Sequence, residues 1–375
     1  MADIDDALPN QSVSDEEFVE KEVTEIETPN EDIVESSEDV EVTMDEEGGA
    51  EISFDPSAST PEMGENHFDN LAEFLDDETL DPLGTNLYEK FIDYKESRGD
   101  WEQSYREGLS LLGFKYEKRT EPFRGASGVN HPVLAEAVTQ FQAQAYKELL
   151  PADGPVRSQI LGAITPEKQD QANRVKDFMN YQIMDQMKEY EPEFDQMLFY
   201  LPLSGSTFKK VYYDDLLGRA VSKFVPAEDL IVPYSANSLD DAEAIVHVLK
   251  VSENELRKQQ VSGFYKDIDL GQPPVTENQL EDKKLELEGI SKDGQEDQFT
   301  LLEMHVNLDV EGYEDIGQDG EPTGIKLPYI VTILESTNKI LSIRRNYAEG
   351  DKMMKKINYF VQFKFLPGTG FYGFG

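Results

Sequence analysis

Cysteine is absent from the 375-residue chain. That excludes disulfides, thiol catalysis and cysteine-ligated zinc, and it fits a cytosolic or bacterial-host setting. Basic residues are scarce: 34 Lys and Arg face 77 Asp and Glu, a net charge of −43. No apolar run approaches the roughly 18 residues that a membrane span needs. The opening Met1-Ala2-Asp3-Ile4-Asp5 has no basic region and no apolar region, so no secretory signal is predicted. Charged residues at 30% and a mean hydropathy of −0.56 describe a soluble protein.

Recognisable chemistry is lacking too. The phosphate-cradling loop needs a Gly-Lys dipeptide, and none occurs. Gly125-Ala-Ser127-Gly128 falls short of a nucleophile elbow, because its second glycine comes one residue early. The four histidines, His67, His131, His247 and His305, are scattered and isolated, and each is read as a packing or loop residue. Asp315-Ile-Gly-Gln-Asp319-Gly320 begins like a calcium loop, but its third position is Gly317 and its twelfth is Lys326. A bidentate Glu is required there, so the segment is read as a turn between strands. Carboxylate pairs carry no information in so acidic a chain. The residues indicate no enzyme, no cofactor and no metal.

The acid is unevenly spread. The first 60 residues hold 21 Asp and Glu against Lys21, which is −20 of the −43 and leaves −23 for residues 61–375. An arm over residues 1–64 with so much like charge and so few aromatics is expected to stay disordered. The body is itself too acidic to grip nucleic acid over its general surface, since phosphate binding depends on Lys and Arg. Either it never meets nucleic acid, or it must let nucleic acid slide past.

Periodicity divides the body into helices followed by strands, an α+β chain. Phe68, Leu71, Phe74 and Leu75 mark a short helix stopped near Asp81-Pro82. Leu87, Phe91 and Tyr94 fall on one helical face, and Trp101, Tyr105, Leu109 and Leu112 on another. Arg119 to His131 reads as a loop. Pro132 then opens a helix with Val133, Val138, Phe141, Ala145 and Leu149 inward. Val156 to Ile164 reads as a short strand. Thr165 caps a helix running to about Glu189, with Ala172, Val175, Phe178, Met179 and Ile183 inward. A further helical piece covers Phe194, Met197, Leu198 and Leu201. Thr207–Tyr213 and Ala220–Phe224 form a hairpin, followed by strands at Leu230–Val232 and Ala244–Leu249. Ser252 caps a helix to about Gln260. Gly263 to Asp297 is a polar, flexible excursion. A meander of four strands, Leu301–Asp309, Tyr329–Leu334, Ile340–Arg345 and Tyr359–Leu366, closes the chain.

One stretch departs from the acidic background. Lys339, Arg344, Arg345, Lys352, Lys355 and Lys356 cluster around a turn with only Glu349 and Asp351 against them. They are the candidate contacts with an acidic partner or a phosphate backbone. A solvated hairpin is the plainer alternative.

The body, from about residue 65 onward, resembles the portal, or head-to-tail connector, proteins of tailed bacteriophages, in particular a group from short-tailed phages. The matching phrases include Asp100-Trp101-Glu102 with Tyr105 and Gly108-Leu109. Gly128-Val129-Asn130-His131-Pro132 then leads into Glu136 to Ala145. Glu148-Leu-Leu-Pro151 with Gly154-Pro-Val156 follows, and Arg174-Val-Lys-Asp177 with Asn180-Tyr181. Later come Gly205 to Tyr213, Pro226 to Tyr234, Ile343-Arg-Arg-Asn346 and Phe363 to Gly373. The acidic arm lies outside the match.

The resemblance implies a homo-oligomeric ring, usually dodecameric, at one vertex of the capsid, assembled in the host cytoplasm and retained in the virion. Such a ring is a conduit for genome packaging and ejection and performs no chemistry. Its implied partners are the terminase large subunit, a head-completion or tail adaptor protein, major capsid and scaffold proteins, and double-stranded DNA in passage. No membrane is involved. By order along the chain, the resemblance implies a wing over residues 65–251, a stem helix and excursion over 252–298, and a clip over 299–375. Family members continue past this point into another stem helix and a crown, so the chain is expected to be a fragment or half of a split gene. Another virion assembly protein, a scaffold or adaptor, is the alternative, and a metal-dependent nuclease is a third reading.

Overall fold

The computed structural model describes residues 40–44, 50–54, 66–112, 123–128, 131–214, 217–233, 235–273, 279–288, 298–317, 321–368 and 370–375. The chain divides into two compact units, Met1–Gly64 and Glu65–Gly375. In the first, β1 (Val40–Met44) pairs antiparallel with β2 (Ala50–Phe54), placing Val42 opposite Ile52. Both strands alternate apolar and polar residues, the pattern of a sheet. At these ten residues the arm is paired rather than unfolded. The rest of the expected disordered arm lies outside the described residues.

The second unit is mixed helix and strand, as its periodicity indicates. A five-stranded antiparallel sheet has the order β5 (Leu230–Ile231), β6 (Ala244–Ser252), β7 (Gln298–Leu308), β8 (Leu327–Leu334), β9 (Lys339–Arg345). A three-stranded antiparallel sheet has the order β10 (Phe360–Lys364), β3 (Ser206–Asp214), β4 (Arg219–Pro226). Strand β8 is apolar almost throughout because both faces of the large sheet are covered. One face carries Val246, Leu302, Met304, Tyr329, Val331 and Ile333 against helix α1 (Asp77–Ser97). The other face carries Ile245 and Leu230 against Phe208 and Val225 of the small sheet. Fully burying one such side chain contributes about 1.5–3 kcal/mol.

Helix α1 differs from the expected short helix stopped at Pro82. A 3-10 turn at Leu71–Glu73 comes first, and then Asp76 caps one helix through to Ser97. Pro82 sits inside it. The lost backbone bond and ring clash cost about 3 kcal/mol. Burial of Leu80, Leu87 and Phe91 along one stripe outweighs that cost. Gly84 lies in the same stripe, where an added Cβ would come 2.3 Å from the Asn338 carbonyl oxygen. Helix and hairpin can approach this closely only at glycine.

Helices α2 (Gly99–Ser110), α3 (Val133–Leu149) and α5 (Tyr190–Ser204) supply the remaining core, centred on Tyr105, Leu109, Val138, Met197 and Leu198. Pro132 precedes α3 as its cap rather than opening it, and Val133 and Leu149 are exposed instead of inward. Residues 156–164 form no strand, and Leu161 and Ile164 are exposed. Thr165 caps α4 (Pro166–Tyr181) as expected, accepting from Lys168 N. The helix does not continue to Glu189. It passes through a π turn at Gln182–Gln186 and stops, and α5 restarts at Tyr190. The restart places Pro192 in a first turn, where its missing N–H is harmless. None of α4 is buried, so its expected inward face is not inward.

Ser252 caps α6 (Glu253–Val261) as read from the sequence. This helix has nine residues, and Leu256 packs with Phe299 and Leu334 at the end of the large sheet. The excursion after it is not featureless. Tyr265, Ile268 and Leu270 pack onto the same cluster, and residues 279–288 form α7 (Gln279–Glu288) with Leu280 and Leu285 buried. Strand β10 leaves the expected meander to pair with β3, through Phe360–Lys210. Strand β6 pairs with β7 from Ala244–Val306 to Ser252–Gln298. The stretches 65–251 and 299–375 therefore share both sheets.

Candidate functional site

The six cations read as one basic turn are dispersed. Lys339 and Arg345 occupy opposite ends of β9, and Lys339 lies beside Asp77, whose carboxyl Lys266 holds below its usual range with a smaller contribution from Lys339. Arg344 is spent internally. It donates to the carbonyls of Phe68 at 2.6 Å and Phe264 at 3.0 Å, and its guanidinium lies 4.4 Å over the Phe264 ring. Burial pushes its pKa down. Arg345 donates to the His67 carbonyl and lies over Tyr313. Lys356 donates to the Leu239 carbonyl at 3.2 Å. Burial lowers its pKa, opposed by Asp240 and Asp241. Lys352 and Lys355 remain exposed.

Two of the six, Lys352 and Lys356, line a cleft of about 440 Å³ together with Lys326, Asp315, Asn307 and Met354. Lys326 was hidden in the sequence by its distance from the basic stretch. The same holds for Asp315, Asp240 and Asp241, which offset the lysines. The cleft is mixed in charge rather than a basic tip. The flanks of the segment read as a turn between strands are joined, Thr323 N donating to the Asp315 carbonyl at 2.8 Å and Ile316 bridging to Pro322, while residues 318–320 lie outside the described residues.

A second constellation lies between the sheets, and sequence reading missed it. His247 on β6 is the direct cross-strand neighbour of Glu303 on β7. His305, two residues on, shares its face. Lys210 reaches across from β3. Its Nζ donates to both Glu303 oxygens at 2.6 and 2.7 Å, and His305 Nε2 donates to Oε1 at 3.0 Å. His247 Nδ1 is 3.8 Å from the same oxygen, beyond hydrogen-bond range. Phe360 packs edge-on against both imidazoles. The two histidines expected to be isolated are therefore partners of one carboxylate.

Burial by itself would raise the Glu303 pKa. The neighbouring His247, His305 and Lys210 outweigh it and hold the carboxyl well below its usual range. Burial pushes the His247 pKa down, against the pull of Glu303. Burial also lifts the nearby Tyr265 hydroxyl to about 12. The two imidazoles are buried, His247 and His305 being 7% and 3% exposed. Among the described residues, no group of three or more His, Cys, Asp or Glu is placed to hold a metal ion. The chemistry of the cluster is that of a charge pair joining two sheets.

A third set surrounds Arg98. This guanidinium, on a residue 5% exposed, donates to the carbonyls of Ala227 at 3.0 Å, Leu230 at 3.1 Å and Glu228 at 2.6 Å, and pairs with Glu102 at 2.8 Å. Tyr372 accepts from Arg98 at 3.1 Å, donates to the Leu230 carbonyl at 2.8 Å and stacks on Trp101 at 4.6 Å. Close by, Gly205 (φ +74°) ends α5 against the 373–374 backbone, where a Cβ would come 2.2 Å from the Gly373 carbonyl oxygen. Among the described residues no helix is long and apolar enough to cross a membrane. No known family model matches the chain, and no curated protein matches it in sequence.

Proposed function

We propose that this chain is a structural subunit of a ring-shaped portal at a capsid vertex of a tailed bacteriophage, a conduit for genome packaging and ejection with no chemistry of its own. The supporting observation is where the phrases behind the resemblance fall. Trp101, Gly205, Leu230 and Tyr372-Gly373 come from four phrases far apart in sequence, yet they meet in one hub of stacked rings and close backbone contacts. Gly154 and Asn180, from two more, touch each other. The shared residues are thus ones on which the packing of the unit depends.

The charge agrees with this reading. A body of −23 over residues 61–375 repels a polyanion, which suits a wall that DNA must slide along. The subunit would belong to the virion after assembly in the host cytoplasm. Terminase large subunit, head-completion or tail adaptor protein, and capsid and scaffold proteins would be its partners. Lys352, which lines the mixed cleft, and Lys355 are exposed and offer cations for such docking. The wing, stem and clip division, with β6 of the wing paired to β7 of the clip, goes with this proposal.

Electron microscopy of the purified protein tests it. Rings with a central opening, and weak duplex binding at physiological salt, are the expected outcome. Tight duplex binding, or magnesium-dependent cleavage of plasmid DNA, would overturn it.

A further inference from the structure

Helix α4 is tied to its unit at one end. There the Asn180 side chain accepts from Val156 N at 2.9 Å and donates to the carbonyls of Asp153 at 3.3 Å and Val156 at 3.2 Å. Gly154 (φ +88°) makes room for it: a Cβ at that position would come 2.4 Å from the Asn180 side chain. Beyond this seat no residue of the helix is buried. Val175, Phe178 and Met179 share one side and are 48%, 59% and 42% exposed. Leu161 and Ile164, just ahead of the cap, are 86% and 72% exposed. At 100° per residue Asn180 lies about 140° around the helix from Val175, so the anchored side and the apolar side point apart. Isolated helices of about this length are marginal in water, and an amphipathic one gains its stability from whatever covers its apolar face.

We propose that this face is the contact with a second copy of this chain. Charge favours that occupant. Helix α4 carries Lys168, Arg174 and Lys176 against Glu167, Asp170 and Asp177, which is +3 − 3 = 0. Residues 61–375 sum to −23, so all of that net charge lies outside α4. Two acidic copies repel one another least where one of them presents this apolar helix of balanced charge. In a ring or a filament this face meets a different surface of the next copy. Such heterologous contacts close into rings or run on into filaments. The contact deepens the portal reading only in the ring form. As an association surface it stands on exposure and charge.

The chain has no native cysteine, so one introduced thiol reports a single site. In the full chain, Phe178→Cys labelled with a benzophenone maleimide should photocrosslink to a neighbouring protomer. Asn173→Cys, on the opposite side of α4, should give only background. Val175→Glu/Phe178→Glu should lose the assembled species in sedimentation velocity with an unchanged Tm, because both side chains are already exposed in the protomer. Filaments or dimers abolished by the double variant keep the contact and remove the ring reading. Rings that persist in the double variant overturn the contact and leave the ring reading standing. A wild-type protein that stays monomeric overturns the contact. Photocrosslinks that map to the same chain do so too, by showing that the face is covered from within.

Discussion

Lys210 Nζ on β3 lies 2.6 and 2.7 Å from the two carboxylate oxygens of Glu303 on β7, and this pair ties the three-stranded sheet to the five-stranded one. Both side chains are largely out of water, at 17% and 16% exposure. Removing one partner of such a pair leaves a charge without compensation. Glu303→Ala should therefore destabilise the body by about 3–5 kcal/mol, measured by urea unfolding. Lys210→Met/Glu303→Leu should cost clearly less than the two single changes added together, because no charge is then stranded.

The same cluster sets a pH dependence. His247 has a folded pKa below its ordinary 6.5, so as pH falls through that value the unfolded chain takes up the proton first and stability is lost. Glu303, held well below 4.5, adds a further loss at lower pH. Asp229 acts in the opposite direction. Burial raises it to about 6, so its share of stability grows as pH falls from 6 toward 3.8. His247→Asn should flatten the loss of stability below pH 6.5, and Asp229→Asn should steepen it, both read from denaturation midpoints across a pH series. A His247→Asn variant that loses stability on acidification as steeply as wild type would remove His247 from this account.

Lys209 is a buried lysine without a hydrogen-bond partner, its ammonium 3.9 Å over the Tyr190 ring. Burial lowers its pKa to about 8, opposed by Glu193 and Glu189. Since the folded value is depressed, stability should rise as pH climbs from about 8 toward 10.5. Lys209→Met keeps the volume and removes the charge. It should stabilise the protein by about 1 kcal/mol at neutral pH, after the lost cation–π contact is counted, and flatten that alkaline rise. A loss of stability on substitution would mean that the aromatic contact outweighs desolvation.

Gly205→Ala should destabilise by about 2–3 kcal/mol, because the new methyl has no space against the 373–374 backbone and the positive φ disfavours it. Gly218→Ala makes a useful comparison. Its φ is also positive, at +62°, but nothing lies within 4 Å of an added Cβ, so its cost should be the conformational part alone. Equal costs at the two sites would show that the close approach to Gly373 is not limiting.

Most elements of the body were legible because the signals for them are local. Thr165 and Ser252 cap helices where their spacing to the following residues indicated, and the hairpin of β3 and β4 falls between its predicted runs. Prolines misled at Pro82. A local rule counts one broken backbone bond, whereas the structure also counts the stripe of Leu80, Leu87 and Phe91 beneath it. The basic turn misled for a related reason. Charges adjacent in sequence alternate in direction along a strand, so Arg344 and Arg345 went to different neighbours.

The amino-acid order alone determined the acidity, the lack of thiol chemistry and the kinds of element present, since composition and short-range periodicity act without reference to distant residues. The tertiary structure decided everything that depends on pairing. It brought His247, Glu303, His305 and Lys210 to one point from three strands, and it sent β10 to β3. It also left Val175 and Phe178 outside, where an apolar stripe that reads like core is instead a surface without cover. A hydrophobic pattern records that a face avoids water, and only the packing of the whole chain shows whether the chain itself supplies the cover.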